Sequence, residues 1–410
     1  MPKIAEFIYP WGSGHYSRMM RFHESFSSLM EEVETHFVSK DHVYQKLCER
    51  FPSQKEKIHN ILMPTPIDGK YGPSVSLSLL NIFFSVQNNP PLINQIANYL
   101  RAERKLYNKE KFDLVINDGD MGSNILAKNR NIPSLFVTNQ FKPKLYKTRT
   151  YLYPSLIFIA KQIAKASKII VADSPPPYTL CEFNLNFTKE VEKKVTYVGH
   201  FSNKKNVEKT SPSDLEKLIQ NEEFGYWMRT GNKSTNEGTG ERFEEVFHYD
   251  EMRNEKRIVS HAKNEPSIDS VLGKDGKRYS ISTALEKKID WVQIDIGFLS
   301  EQEKENVLDG CKYAVVNGSH TVMGEILGGK SKPIIGIPVY DEHENNIKWA
   351  ENKNLGILAK KTKDVINGIK VLHEDYEKFE SNLVEFSVNF NSNGAENTSK
   401  IAIETLEEKR

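Results

Sequence analysis

Residues 313–346 read YAVVNGSHTVMGEILGGKSKPIIGIPVYDEHENN. The apolar runs Tyr313–Val316 and Pro333–Pro338 predict two buried strands, and the intervening residues near Val322–Leu327 predict a helix. A second helix is expected near Asn345–Lys353. Strands that alternate with helices in this way are typical of a parallel sheet in an α/β protein. This stretch therefore decides the fold class.

The same alternation extends along the rest of the chain. Further strands are predicted at Ile4–Tyr9, Thr35–Ser39, Asp113–Asn117, Ser134–Thr138, Lys168–Ala172, Val195–Gly199, Tyr226–Met228, Arg257–Ser260 and Trp291–Ile296. The polar run Ser202–Asn206 separates two halves, and a glycine-rich polar loop is predicted at Thr230–Gly240. Residues 262–289 have no clear period and are expected to be an insertion with a hairpin turn at Gly273–Gly276.

Composition limits the class of protein. A chain of 410 residues exceeds the size of one hydrophobic core, so two domains are expected. Apolar residues make up 38% and charged residues 27%, as in globular proteins. A net charge of +1 gives the protein no overall positive field that would attract nucleic acid. The three cysteines lack C-x-x-C spacing, which argues against a disulfide framework or a zinc site and, with the absence of a signal-peptide pattern, predicts a cytoplasmic protein.

The first candidate catalytic motif is Gly12-Ser-Gly-His15, which follows a strand and begins a helix. Such a turn exposes backbone N–H groups at the positive end of the helix dipole, where anions and developing charge are favoured. His15 is the candidate base, although it also fits a structural residue at a helix start. Asp118 or Asp120 is expected to orient its ring from the neighbouring strand end; the alternative is that they cap the helix before Gly122.

The second motif is Gly318–Thr321, where N–H groups and hydroxyls at a helix start suit a diphosphate. Glu325 lies about one turn along the same face, a span that suits a ribose. An ordinary N-cap with a solvent-facing glutamate explains the same pattern. The polar run Pro338–Asn346 favours a ligand site, because ligands bind at the carboxyl ends of strands in open α/β sheets.

Together these motifs resemble the GT-B glycosyltransferases, especially the branch of the peptidoglycan N-acetylglucosaminyltransferase and archaeal UDP-N-acetylglucosamine transferases. Asp113–Asp118 resembles the family's "PDLVISD" strand, and Gly12–His15 its N-terminal glycine-rich loop. The C-terminal pattern is matched by Gly318, Thr321, Glu325, Leu327, Gly329, Pro333, Pro338, Asp341, Asn345 and Gly356. The chain departs from it at Asn317, where the family has glycine, at the longer Ser331-Lys332 turn, and at Glu342, where the family has a sugar-binding glutamine.

The resemblance implies a GT-B fold, with two Rossmann-like domains facing across a cleft. Residues 1–200 would bind the acceptor, 201–392 the nucleotide sugar, and a helix in 393–410 would pack back on the first domain. His15, Asp118 and Asp120 are the expected catalytic residues. The expected donor-binding residues are Gly14, Arg229, Asn232, Gly318, Ser319, His320, Thr321, Glu325, Asp341, Glu342 and Asn345. A flexible polar loop is the alternative for Arg229 and Asn232.

The implied activity is an inverting transfer from a nucleotide-diphosphate sugar, expected to be UDP-linked, to a hydroxyl acceptor. No cofactor and no metal are expected, and Asp118-Gly-Asp120 is not interpreted as a D-x-D metal motif. Apolar residues 75–84 and 151–163 suggest a lipid-linked acceptor and peripheral contact with the inner face of the cell membrane, or else buried core. A nucleotide-sugar 2-epimerase and a catalytically silent GT-B binding subunit are the alternative functions.

Overall fold

The computed structural model describes residues 1–12, 14–70, 72–202 and 211–409. Ser13 of the glycine-rich turn and residues 203–206 of the polar run lie outside this description. The chain divides into two compact units. Unit 1 consists of Met1–Gly69, Pro73–Asn203 and Asn391–Arg410, and unit 2 consists of Lys70–Gly72 and Lys204–Phe390.

The strands lie close to the positions that the apolar runs predict. They are β1 (Lys3–Ile8), β2 (Glu34–Ser39), β3 (Ile58–Asn60), β4 (Asp68–Gly69), β5 (Gly72–Pro73), β6 (Leu114–Asp118), β7 (Ser134–Thr138), β8 (Lys168–Val171), β9 (Val195–Tyr197), β10 (Gly225–Met228), β11 (Arg257–Ser260), β12 (Ser270–Gly273), β13 (Arg278–Tyr279), β14 (Trp291–Ile296), β15 (Tyr313–Val316), β16 (Ile334–Gly336) and β17 (Gly356–Leu358).

The helices fill the connections between the strands. They are α1 (Gly14–Leu29), α2 (Asp41–Arg50), α3 (Val75–Leu80), α4 (Leu92–Glu110), α5 (Met121–Asn129), α6 (Tyr153–Ile163), α7 (Glu182–Leu185), α8 (Lys189–Glu192), α9 (Asp214–Ile219), α10 (Lys233–Phe247), α11 (Ile281–Glu286), α12 (Glu301–Gly310), α13 (His320–Gly324), α14 (Asp341–Asn352), α15 (Thr362–Glu374), α16 (Tyr376–Asn389) and α17 (Gly394–Glu407). Short 3-10 turns lie at Pro52–Lys57, Lys147–Leu152, Asp250–Arg253 and Pro266–Ile268, and a π turn, Glu325–Gly329, continues α13.

Unit 1 is built on a parallel sheet with the strand order β3-β2-β1-β6-β7-β8-β9. The chain builds outward from β1 in both directions, so the order reverses between β1 and β6, where Ile8 pairs with Asp118. Helix α1 buries Phe22 and Phe26 against this sheet, and Leu406 of α17 joins the same core. The ends of β1 and β6 are therefore the expected ligand position in unit 1.

Unit 2 repeats this plan with the strand order β13-β12-β14-β11-β10-β15-β16-β17. The pairs from β14 to β17 are parallel, and β12 and β13 add an antiparallel edge. The hairpin predicted in residues 262–289 is confirmed, with a turn at Gly276 (φ +77°), and this insertion widens the sheet. The strand order reverses between β10 and β15, which marks the ligand position of unit 2.

One sequence prediction is wrong. The loop predicted at Thr230–Gly240 is mostly helix, because Asn232 caps the N-terminus of α10 and accepts the Thr235 N–H at 3.0 Å. The apolar segments 75–84 and 151–163 are not simply buried core. Phe83 and Phe158 are 67% and 65% exposed, and Leu80, Phe84, Tyr151 and Ile157 are exposed with them. Among the described residues, no helix has the length and apolar character needed to cross a membrane.

Candidate active site

His15 and Asp118 meet at the point where the strand order of unit 1 reverses. His15 is in the first turn of α1, directly after β1, and Asp118 is the last residue of β6. His15 Nδ1 lies 2.7 Å from Asp118 Oδ1. The carboxylate is fully buried, whereas the imidazole side chain keeps 24% of its surface exposed. The buried Asp118 carboxylate thus holds Nδ1 of a His15 imidazole that is accessible to solvent.

Arg18 completes this group. Its Nε and Nη2 donate to Asp118 Oδ2 and Oδ1 at 2.6 and 2.7 Å. Burial acts to raise the pKa of Asp118, but the charges of Arg18 and His15 outweigh burial and lower it to about 2. Asp118 is therefore ionised at neutral pH, and the His15 Nδ1 must donate the hydrogen bond. The sequence motifs do not indicate Arg18, although it lies three positions after His15 and so shares its helix face.

Asp120 has a different role from Asp118. It caps α5, where its Oδ1 accepts the Gly122 N–H at 3.1 Å and the hydroxyl of Tyr99. Burial raises the pKa of Asp120 to about 7, although hydrogen bonds from Gly122 and Ser123 oppose the shift. Of the two aspartates that the sequence offers as partners of His15, the structure brings Asp118 to the ring and assigns Asp120 to the helix cap.

In unit 2 the corresponding position is formed by Thr230 after β10 and Asn317 after β15. Thr230 Oγ1 donates to Asn317 Oδ1 at 3.2 Å, and Asn317 Nδ2 donates to the Thr230 carbonyl at 3.1 Å. Gly318 has φ +93°, and a Cβ there would lie 2.7 Å from the His343 carbonyl oxygen. A glycine is thus required where α14 packs against the turn.

The predicted diphosphate loop enters a helix, as the sequence indicates. Ser319 is at the N-cap of α13, and His320 and Thr321 are its first two residues. His320 is buried, whereas Ser319 and Thr321 are half-buried. Glu325 begins the π turn, and Lys304 of α12 contacts both of its oxygens at 2.7 and 2.8 Å. The sequence motifs do not indicate Lys304, because it lies in a different helix from Glu325.

The remaining predicted donor contacts lie in α14, at the entrance to α10 and, for Gly14, at the start of α1. Asp341 and Glu342 are half-buried at the start of α14, but Asn345 is fully buried and so offers no surface to a ligand. Asn232 is the cap of α10, which corrects its alternative as part of a flexible loop. Arg229 Nη1 donates to His261 Nδ1 at 3.0 Å. Gly14 is the first residue of α1.

The carboxylates of Asp118 and Asp120 have hydrogen-bond donors within unit 1. Both oxygens of Asp118 accept hydrogen bonds from Arg18 or His15, and one oxygen of Asp120 accepts from a helix N-terminus. Three of the four carboxylate oxygens of Asp118 and Asp120 therefore accept hydrogen bonds within the protein.

Comparison with known proteins gives remote relatives. No family model matches the sequence. An uncharacterized glycosyltransferase of Methanosarcina mazei is 27% identical over 210 residues, which cover 48% of this chain and 50% of that protein. One of Methanosarcina acetivorans is 31% identical over 101 residues, which cover 23% of this chain and 27% of that protein. The chain therefore matches about half the length of its curated relatives, or less.

Solved structures resemble the chain over nearly its whole length. The glycotransferase of kitacinnamycin has a TM-score of 0.63 at 12% identity and covers 99% of this chain and 100% of its own. Phytolacca americana UGT2, complexed with UDP-2fluoro-glucose and pterostilbene, has a TM-score of 0.62 at 12% identity with the same coverage. A UDP-N-acetylglucosamine 2-epimerase has a TM-score of 0.56 at 13% identity and covers 98% and 95%. The fold is GT-B.

Proposed function

We propose that this protein is an inverting glycosyltransferase that moves a sugar from a nucleotide-diphosphate donor, UDP-linked in the first instance, to a hydroxyl acceptor. The observation that carries the proposal is the His15–Asp118 pair at the strand reversal of unit 1. We assign residues 1–200 to the acceptor, 201–392 to the donor, and 393–410 to a helix that completes the first domain. Within GT-B, the motif Gly318–Gly356 favours the branch of the peptidoglycan N-acetylglucosaminyltransferase and its archaeal relatives.

His15 is the proposed general base. Its Nδ1 proton is donated to ionised Asp118, so in the neutral imidazole Nε2 is the nitrogen that accepts a proton from the acceptor hydroxyl. The acceptor oxygen forms a bond to the anomeric carbon while the bond from that carbon to the diphosphate oxygen breaks. The nucleoside diphosphate leaves, and the anomeric centre is inverted. Asp118 fixes the tautomer and stabilises the imidazolium that forms.

We propose that Arg18 keeps Asp118 and His15 in the arrangement that the reaction requires. Its two hydrogen bonds neutralise part of the Asp118 charge and fix the carboxylate plane. Arg18 thus fixes the carboxylate that orients the His15 ring.

We assign the donor to the loops at the strand reversal of unit 2. The N–H groups at Gly318–Thr321 would receive the diphosphate, Glu325 the ribose hydroxyls, and Asp341 and Glu342 the sugar. The complex of UGT2 with UDP-2fluoro-glucose supports a UDP donor for this fold. The loop N–H groups, rather than a metal, would then stabilise the leaving group.

The acceptor is proposed to be lipid-linked, with unit 1 lying against a membrane surface. Residues 71–100 contain no charged residue, and residues 121–172 contain nine Lys or Arg but no Asp or Glu. The exposed Phe83 and Phe158 belong to these two segments. Exposed aromatic side chains together with an excess of basic residues favour binding to an anionic bilayer.

The test combines a binding assay with a turnover assay. Thermal shifts with UDP, TDP, GDP and their sugar conjugates identify the donor, because a ligand that binds the native state raises its stability. We expect His15→Gln to keep the nucleotide shift and to lose acceptor-dependent release of the nucleotide. His248→Gln, which changes an exposed histidine of unit 2, should keep both.

The same assays separate the alternatives. Formation of a C2-epimer with release of free UDP, without any acceptor, would favour the 2-epimerase. A nucleotide shift without any turnover would favour the silent binding subunit. Failure of every nucleotide to shift the melting temperature would contradict the proposed function.

A further inference from the structure

A tyrosine and a glycine contact the His15 ring on sides that Asp118 leaves open. Tyr9 directly follows β1, and Gly119 directly follows β6. The Tyr9 N–H donates to the Asp118 carbonyl at 3.0 Å, so the two residues continue neighbouring strands at the edge of the sheet where His15 lies. The sequence motifs assign no role to Tyr9 or Gly119.

Gly119 lets the polypeptide backbone approach the imidazole closely. It has φ +87°, and a Cβ there would lie 2.7 Å from Tyr9 Cβ and 3.3 Å from His15 Cε1. Both the positive φ and the lack of space for a side chain require glycine at this position. The Cε1 edge of the His15 ring therefore lies beside the backbone of Gly119.

Tyr9 packs against the same imidazole and is itself held in place. Its ring centroid lies 5.7 Å from that of His15 at an interplanar angle of 86°, the edge-to-face geometry that aromatic pairs favour. The Tyr9 hydroxyl donates to the Pro64 carbonyl at 2.9 Å. Burial raises the pKa of the Tyr9 phenol, and the charge of Asp120 raises it further, so the hydroxyl keeps its proton at neutral pH.

These contacts determine which atom of His15 can react. Asp118 holds Nδ1, Gly119 lies beside Cε1, and Tyr9 packs perpendicular to the ring. Among the residues that the structure describes, none bonds to Nε2. One hydrogen bond fixes the position of Nδ1 but leaves the ring free to tilt about it. The packing of Tyr9 and Gly119 removes this freedom and fixes the direction of Nε2.

We propose that Tyr9 and Gly119 are positioning residues, which hold the plane of the His15 imidazole so that Nε2 faces the acceptor hydroxyl. The inference rests on the proposed function, because it takes His15 to be the general base. Asp118 and Arg18 set the tautomer of the base, whereas Tyr9 and Gly119 set its direction. Misplacing a reacting group by about 1 Å can cost on the order of 10²-fold in rate.

The kinetic test compares wild type, Tyr9→Leu, Tyr9→Phe, His15→Gln and the double variant of Tyr9→Leu with His15→Gln. We expect Tyr9→Leu to lower kcat at least about tenfold and to keep the KM for the nucleotide sugar. Tyr9→Phe retains the ring and should recover most of the lost kcat, although it loses the bond to Pro64. Tyr9→Leu should have no further effect in the His15→Gln background, because Tyr9 acts through His15.

Gly119→Ala tests the other contact, and Gly276→Ala is its matched control. Gly276 has φ +77°, but a Cβ there would meet nothing within 4 Å. Both substitutions strain the backbone, and only Gly119→Ala places an atom against Tyr9 and His15. We expect Gly119→Ala to lower kcat and Gly276→Ala to keep it, when both are assayed below their melting temperatures.

NMR of histidine-labelled protein gives a measurement that does not depend on turnover. The Cε1–H signal of His15 is identified by its loss in His15→Gln, and Tyr9→Leu should shift this signal because it removes the neighbouring aromatic ring. An unchanged signal or an unchanged kcat in Tyr9→Leu would overturn the inference alone. So would a loss of kcat that persists undiminished in the His15→Gln background. If the wild type transfers sugar to no acceptor, the proposed function itself fails, and this inference fails with it.

Discussion

Asn317 and Thr230 are joined by two hydrogen bonds across the strand reversal of unit 2. The Asn317 side chain also accepts the Ser319 N–H at 3.2 Å, so a single amide fixes the ends of β10 and β15 and the entrance to α13. This is the position at which the GT-B pattern has a glycine. The departure from the pattern thus has a structural reason. The Asn317 side chain fixes by hydrogen bonds a loop that a glycine would leave flexible.

Asn317→Ala should loosen this loop. We expect the free energy of unfolding to fall by about 2 kcal/mol, since three part-buried hydrogen bonds lose their partner, and the affinity for the nucleotide to fall as well. Asn117→Ala is a matched control, because Asn117 is a fully buried strand residue of unit 1 that bonds to Asn124 at 2.8 Å. The control should lower stability without weakening nucleotide binding. Equal nucleotide affinity of Asn317→Ala and wild type would contradict the role of this amide.

Asp118→Asn should impair turnover more than binding. The amide cannot fix the His15 tautomer as a carboxylate does, so we expect kcat to fall by about 10²–10⁴ while the thermal shift with nucleotide is kept. Asp113→Asn, just before the same strand, is the control and should keep kcat. A normal kcat for Asp118→Asn would exclude the proposed base.

Asp118 should also make stability depend on pH in acid. Its pKa is lowered from 3.8 to about 2 in the folded chain. The stabilisation it provides is therefore present above pH 4 and is lost as the pH falls from about 4 to 2, by about 2 kcal/mol. Urea unfolding across this range should show a shallower acid loss for Asp118→Asn than for wild type.

Asp120 should make the stability of the protein depend on pH in the opposite direction. Because burial raises its pKa from 3.8 to about 7, the folded chain favours the protonated form. Its contribution is complete below about pH 4 and is lost as the pH rises through 7, with a slope on the order of 1.4 kcal/mol per pH unit. Asp120→Asn still caps a helix but does not ionise. Unfolding at pH 5 and pH 8 should therefore favour this variant at the higher pH. A constant difference between the two proteins at both pH values would show that Asp120 does not ionise in this window.

Gly240→Ala tests the space that α10 leaves for Arg229. The added Cβ would overlap the guanidinium, so we expect lower stability despite the better helix propensity of alanine. Gly368→Ala in α15 is the matched control, because a Cβ there would make ordinary contacts of 3.4–3.6 Å. It should be neutral or stabilising by up to about 1 kcal/mol. Similar behaviour of the two variants would argue against the close approach of Arg229.

The sequence predicts strands well where burial on both faces produces a continuous apolar run. β7 and β15 begin and end at the predicted residues for this reason. The second half of α10 is predicted as a helix near Arg242–Tyr249, but its first half is predicted as loop, because the buried face there begins with small polar residues, Ser234, Thr235 and Thr239, which carry no apolar period. Its cap, Asn232, was a signal that could have found it.

The contacts of the site were harder to predict than its motifs. The pattern indicates His15, Asp118 and Glu325, each of which follows a strand end or a glycine turn. It does not indicate Lys304 or His261, because the partner of each lies in a different element, more than 20 residues away, and only the strand order brings them together. Side-chain pairing of this kind depends on topology, which the periodicity of a single sequence does not contain.

The proposed membrane surface of unit 1 can be tested with one aromatic side chain. Phe158 of α6 is 65% exposed and lies in the segment that contains basic but no acidic residues. We expect the wild type to sediment with anionic vesicles and Phe158→Ser to do so less, because the ring would insert at the headgroup boundary. Binding should fall with salt, since the basic residues contribute electrostatically.

Phe298 of unit 2, which is 64% exposed, supplies the matched control, and Phe298→Ser should sediment like wild type. Equal loss in both variants would indicate nonspecific hydrophobic adhesion, and no sedimentation of the wild type would contradict the membrane contact while leaving the transferase proposal intact.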